Sequence, residues 1–218
     1  MSLRVVLEVA ERRSFASALD WPGWSRGAKT PDEALQAFLD YAERYAAVAR
    51  RAKLAFSPPA TQRGIEVVER LRGGGGTDFG VPSEPAAAED DPLTARDLER
   101  LLGLLEAAWA TFDAAADGAQ GVELRLGPRG GGRQVPKMVD HVREAEAAYV
   151  HQLGTKVADR GMAELRRDFV ETLIARADAR DLPRPNKVKR PWGPRYAVRR
   201  SAWHALDHAW EIEDRSPG

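Results

Sequence analysis

Pro194-Arg195-Tyr196-Ala197-Val198-Arg199-Arg200-Ser201-Ala202-Trp203-His204-Ala205-Leu206-Asp207-His208-Ala209-Trp210-Glu211-Ile212 reads as one amphipathic helix. The helix follows the breaker Pro191-Trp192-Gly193-Pro194. Val198, Ala202, Leu206, Ala209 and Ile212 then recur at spacings of three and four, which stacks them on one face. His204 and His208 share a face too, because at about 100° per residue a separation of four leaves them only about 40° apart around the axis. The expected helix, over residues 195–214, therefore offers two imidazoles in one direction, one turn apart.

Three more helices of this kind precede it. The first, over 95–117, has Thr94 as N-cap, a Leu93/Leu98 pair spaced as a hydrophobic staple, and an apolar face of Leu101, Leu102, Leu105, Ala108, Trp109 and Phe112. The second, over 136–153, opens at Pro136 and carries Met138, Val142, Ala145, Tyr149 and Leu153. The third, over 160–180, carries Met162, Leu165, Phe169, Leu173 and Ala177. Four amphipathic helices with no strand among them predict an all-α four-helix bundle over 93–218.

Upstream the pattern changes. Leu3, Val5, Leu7 and Val9 alternate as in a half-buried strand, and Phe15–Leu19 can pair with it across the polar turn Glu11-Arg12-Arg13. Trp21-Pro22-Gly23-Trp24 breaks the strand. A single helix follows, capped by Thr30, with Pro31 in its first turn and Glu33 completing a capping box. Gly64–Leu71 reads as a further strand. Residues 1–80 are thus a small α+β module. The run Gly73–Gly76, then Pro82–Pro92 with Glu89-Asp90-Asp91, reads as exposed linker, with residues 81–92 joining the module to the bundle.

Composition narrows the chemistry. With no Cys among 218 residues, a disulfide scaffold, a Cys-ligated zinc, an iron–sulfur cluster and a cysteine nucleophile are all excluded. Thirty-three Lys and Arg against thirty-three Asp and Glu leave no net charge for broad capture of nucleic acid or of an acidic membrane. No apolar run approaches a membrane span, and no secretory signal opens the sequence, so a cytoplasmic protein is expected. Only four His are present, and three of them deserve pursuit. His141 stands beside Met138 and Ala145 on the second bundle helix, where it could meet His204 and His208 in the interior. Three imidazoles with positions left for solvent suit Zn²⁺ or Ni²⁺. Hydrogen-bonded core histidines, or surface ones, would show the same spacing. His151 lies about 80° around the helix from His141 and reads as peripheral.

At these residues the chain resembles a known family. Asp140-His141-Val142-Arg143-Glu144-Ala145-Glu146, followed by Ala202-Trp203-His204-Ala205-Leu206-Asp207-His208-Ala209-Trp210-Glu211, is similar to the DinB-like superfamily over residues 92–215. That group of metal-binding four-helix bundles includes thiol-dependent S-transferases and the mycothiol-dependent maleylpyruvate isomerase. The resemblance implies that His141, His204 and His208 are ligands to a divalent metal. It also implies that the metal lowers the pKa of a low-molecular-weight thiol for transfer to, or isomerisation of, a small-molecule substrate. No catalytic acid or base can be carried over. Glu144 and Asp207 are the nearest carboxylates in sequence and are candidates for supporting the ligands.

Residues 3–50 resemble a second family. Phe15–Ser25, with its Pro22-Gly23 turn, and Thr30-Pro31-Asp32-Glu33-Ala34-Leu35 are similar to the HicB-like antitoxin domain. No DNA-binding ribbon or helix-turn-helix follows, which leaves a packing or dimerising role, and a homodimer could use either half. The alternative to an enzyme is accordingly a non-catalytic interaction protein with a structural or vestigial metal.

Two further signals are weaker. Gly73–Gly76 and Gly130–Gly132 lack the residues of a phosphate loop. Arg129 and Arg133 flank the second run just before a helix N-terminus, where an anion could bind. The stretch Arg184, Lys187, Lys189, Arg190, Arg195, Arg199 and Arg200 is basic, with Trp192 and Tyr196 interleaved. It is expected to cover the end of the bundle and meet acidic residues rather than nucleic acid.

Overall fold

A computed structural model describes residues 2–127, 132–155, 160–178, 188 and 191–217. The chain runs β1 (Leu3–Val9), β2 (Ser14–Ala18), β3 (Ser25–Ala28), α1 (Pro31–Asp40), α2 (Ala42–Arg51), β4 (Ile65–Arg72), α3 (Gly75–Phe79), α4 (Ala95–Gly118), α5 (Val135–Gln152), α6 (Met162–Asp178) and α7 (Pro194–Arg215). The class is α+β, with a four-stranded mixed sheet followed by long helices.

The sheet order is β3-β2-β1-β4. β1 and β2 pair antiparallel with Leu7 opposite Ala16, as the hairpin reading expects, and β4 joins β1 in parallel. β3 was not foreseen. Ser25-Arg26-Gly27-Ala28 has almost no apolar pattern, and its extended form comes from antiparallel pairing with β2. The single helix expected after Thr30 is also two helices. Thr30 forms the full capping box with Glu33, but α1 ends at Asp40 and α2 restarts after Tyr41. The Tyr41 ring lies 5.1 Å from Trp210 and 3.8 Å below the Arg26 guanidinium, so tertiary contacts hold the break.

The Trp21–Trp24 turn sits directly on α7. Gly23 has φ of +93°, and a Cβ there would fall 2.8 Å from Leu206 and 3.1 Å from Ala202, so this turn accepts only glycine without strain. Beside it Trp24 is fully buried, donates to the Phe38 carbonyl at 2.8 Å and stacks on Phe38. The Tyr45 hydroxyl donates to the Pro22 carbonyl at 2.8 Å. One apolar cluster joins Val5, Trp24 and Tyr45 of the first half to Leu105, Phe112, Phe169 and Leu206 of the second.

The four long helices fall close to their expected bounds. Thr94 caps α4 in a box closed by Asp97. α4 packs on α7, α5 packs on both α6 and α7, and α6 touches α4 and α7. No helix of the described residues is long and apolar enough to cross a membrane.

The segment expected as an exposed linker is partly interior. Residues 75–79 of the glycine-rich run form α3, and a 3₁₀ turn spans Ala87–Asp90. Glu89, only 5% exposed, receives two hydrogen bonds from Arg199 on α7 at 2.6 and 2.9 Å. Arg199 also donates to the Glu84 carbonyl, while Glu8 of β1 accepts from Thr77, Ser83 and the Glu84 backbone. Glu89 thus neutralises a buried charge while Asp90 and Asp91 stay exposed, a difference that composition alone cannot show.

Removing one member of a buried ion pair leaves the other uncompensated. Glu89→Ala is expected to cost about 3–5 kcal/mol in urea unfolding, whereas an exposed linker residue would change it by only about 0.5 kcal/mol.

Glu146 of α5, 2% exposed, is pushed up to about 7 by burial, which outweighs its pairing with Arg166. Between about pH 4.5 and 7 the unfolded chain loses this proton while the folded chain keeps it, so the stability the group contributes is complete below that window and lost as pH rises through it. Glu146→Gln leaves Arg166 its 2.6 Å contact with Asp113. The stability of the native protein relative to Glu146→Gln should therefore fall from about pH 5 to about pH 8 in a urea series.

Candidate metal centre

α5 supplies His141 and α7 supplies His204 and His208, and the two helices pack together. Their ligand atoms all lie within 4.8 Å of one another. Nε2 of His204 is 3.2 Å from Nε2 of His141, and the ring centroids of His141 and His208 are 5.0 Å apart. The three positions singled out in the sequence thus meet, because the i, i+4 pair on α7 faces the helix that carries the third residue.

His204 and His208 are buried and His141 is half-buried, so the cluster approaches solvent on the α5 side. Burial, followed by the charges of His208 and Arg133, holds His141 below the usual imidazole range. His204 is driven well below it, again by burial first, then by His208, His141, Arg200 and Arg133. Both therefore present neutral imidazoles at neutral pH, the form in which histidine binds a metal. Three such nitrogens fit a divalent cation with further positions left for other ligands.

Glu211 orients the third histidine. Its Oε2 meets Nδ1 of His208 at 3.0 Å, which turns Nε2 of that ring toward the other two histidines. Its Oε1 accepts from Nη1 of Arg215 at 2.6 Å. Burial alone would raise the Glu211 carboxyl, but the hydrogen bonds and charges of His208 and Arg215 outweigh it and hold the carboxyl below its ordinary range. A carboxylate bonded to the far nitrogen of a ligating His fixes its tautomer and raises its basicity.

Asp207 does not fill that role. It lies about 100° around α7 from His208, toward the sheet, and pairs with Arg26 of β3 at 2.8 Å. Glu144 is exposed and acts on His141 through its charge, which opposes the lowering of that pKa. The helical spacing His208–Glu211 was the signal that could have identified the supporting carboxylate. Arg133 is exposed, and its charge reaches both His141 and His204. Arg129 lies outside the described residues. His151 is exposed and stands apart from the cluster. In the basic stretch, Arg195 pairs with Asp97 at 3.1 Å and Arg199 with Glu89, as expected for a segment covering the helices. Arg184, Lys187, Lys189 and Arg190 lie outside the described residues. A cavity of about 970 Å³ at the end of α4 and the start of α5 is lined by Val122, Gln134, Val139 and Asp140, with none of the three histidines in its wall.

Glu211→Gln is expected to weaken Zn²⁺ binding by about tenfold or more in competition with a chromophoric chelator, and Asp207→Asn to leave it unchanged. The chain matches no protein-family model, no curated protein and no solved structure.

Proposed function

We propose that the chain is a divalent-metal protein in which α4–α7 form a DinB-like four-helix bundle and His141, His204 and His208 hold Zn²⁺ or Ni²⁺. The observation that carries this reading is the convergence of three imidazoles, two of them kept neutral, from two helices onto one point. When bound, such a metal supplies a Lewis acid that lowers the pKa of a small-molecule thiol, which suits a chain without cysteine. The activity that follows is S-transfer or isomerisation dependent on a low-molecular-weight thiol. Glu211 holds the His208 tautomer, the buried walls of α7 restrict water, and half-buried His141 marks the side from which a ligand enters. The HicB-like first half serves as the scaffold against which α7 is set, through Gly23 and Arg26, and the 81–92 segment adds Glu89.

Burial of His204 and His208 supports a second reading, a structural metal in a non-catalytic interaction protein. The two differ in whether an exchangeable position remains on the metal.

Elemental analysis of protein purified without an affinity tag should find stoichiometric divalent metal, lost in His204→Ala/His208→Ala. Free metal at about 100 times its Kd should stabilise the native protein by about 2.7 kcal/mol and leave the double variant unaffected. Absence of both metal and stabilisation in the native protein would overturn the metal reading. In Co²⁺-substituted protein, a sulfur-to-cobalt charge-transfer band on adding a small thiol is expected for the enzyme. A spectrum indifferent to thiol would favour the structural metal.

A further inference from the structure

Arg200 precedes His204 by one turn of α7 and is only 7% exposed. Nη2 donates to the Tyr149 hydroxyl at 3.3 Å, and the guanidinium stands 4.9 Å from the Trp203 ring and 5.5 Å from the Tyr149 ring. Nε and Nη1 have no hydrogen-bond acceptor among the described residues. No carboxylate among the described residues pairs with Arg200, although its neighbour Arg199 has Glu89, and Arg166 and Arg215 have carboxylates of their own.

A buried guanidinium without a counter-charge is costly, and arginine cannot shed its proton to escape that cost. The aromatic rings offset it only in part. The other unpaired groups along this stretch are Nε1 of Trp203 and Nδ1 of His204. Indole nitrogen only donates, and a histidine that ligates through Nε2 carries its proton on Nδ1. Every missing partner here is therefore an acceptor. The charge balance agrees, since a divalent cation on three neutral imidazoles next to Arg200 leaves a positive excess. Glu211, shared with Arg215, does not cancel it.

We propose that Arg200 anchors the carboxylate of a small organic ligand whose other end reaches the metal position between His141, His204 and His208. Tyr149 lies between the two anchors, its hydroxyl on Arg200 and its ring 5.9 Å from that of His204. The ligand's second anchor rests on the metal reading, while the contact with Arg200 does not need the metal. The ligand class is then a carboxylic acid that also carries a donor for the metal, a description met by a thiol-bearing cosubstrate or by a carboxylate acceptor.

Isothermal titration with acetate, succinate and inorganic phosphate, on zinc-loaded and on chelator-treated protein, tests this, with tryptophan fluorescence reporting on Trp203. The native protein should bind succinate saturably, and Arg200→Gln should weaken it by about tenfold or more with zinc content unchanged. Acetate binding to the zinc-free protein should show the same dependence on Arg200. If Arg200→Gln does not fold, Tyr149→Phe should weaken succinate several-fold by freeing Nη2. Three results would overturn the proposal: no saturable carboxylate binding by the native protein, equal affinity in the variant, or phosphate displacing both acids. Arg200-dependent acetate binding by a native protein that takes up no zinc when zinc is supplied would uphold the anchor and remove the metal reading instead.

Discussion

α7 is buried on nearly every side. Tyr196 through Leu206 are covered without interruption, followed by His208, Ala209, Trp210, Ile212 and Arg215. A helix in that position would ordinarily be apolar all round, yet this one carries Arg199, Arg200, His204, His208 and Arg215 into the interior. Each gains from a partner or from neutrality, because a buried charge without compensation is costly. Much of the surrounding structure meets that requirement. Glu89 neutralises Arg199, Glu211 and the Arg125 and Arg133 carbonyls take up Arg215, and neutral histidines face one another.

The same constraint explains why the two halves of the chain share one core. The turn at Gly23 abuts Leu206, Arg26 reaches Asp207, Arg44 of α2 binds Glu213 and Asp214, and the 3₁₀ turn at Glu89 closes over Arg199. The sheet side thereby sets the rotation of α7. That rotation decides which α7 residues face α5, and hence that His204 and His208 meet His141 while Asp207 turns away. Of the donors left without acceptors among the described residues, those of Arg200 and His204 stand beside Tyr149 of α5, which is where a ligand would complete the balance.

Much of this was legible in the residues. Thr30 and Thr94 mark helix starts because their hydroxyls cap locally, and local capping needs no knowledge of the rest of the fold. The four long helices follow from apolar spacing, and the His204–His208 pair from helical geometry alone. β3 was not legible, because a four-residue strand of Ser, Arg, Gly and Ala takes its form from a neighbour. The break at Tyr41 was hidden for a related reason, being held by Trp210 and Arg26 from distant parts of the chain.

The supporting carboxylate shows the boundary between the two kinds of information. Asp207 and Glu211 are both near a histidine in sequence, and spacing alone allowed either to support the site. Helix periodicity, the caps and the i, i+4 imidazoles are properties of a few neighbouring residues, so the chain order is enough to specify them. Which carboxylate meets His208, which arginine finds Glu89 and which is left unpaired depend on how α7 is turned against β3, α5 and the Glu89 segment. Those contacts join residues far apart in the chain, and packing around a buried, charged helix selects among them.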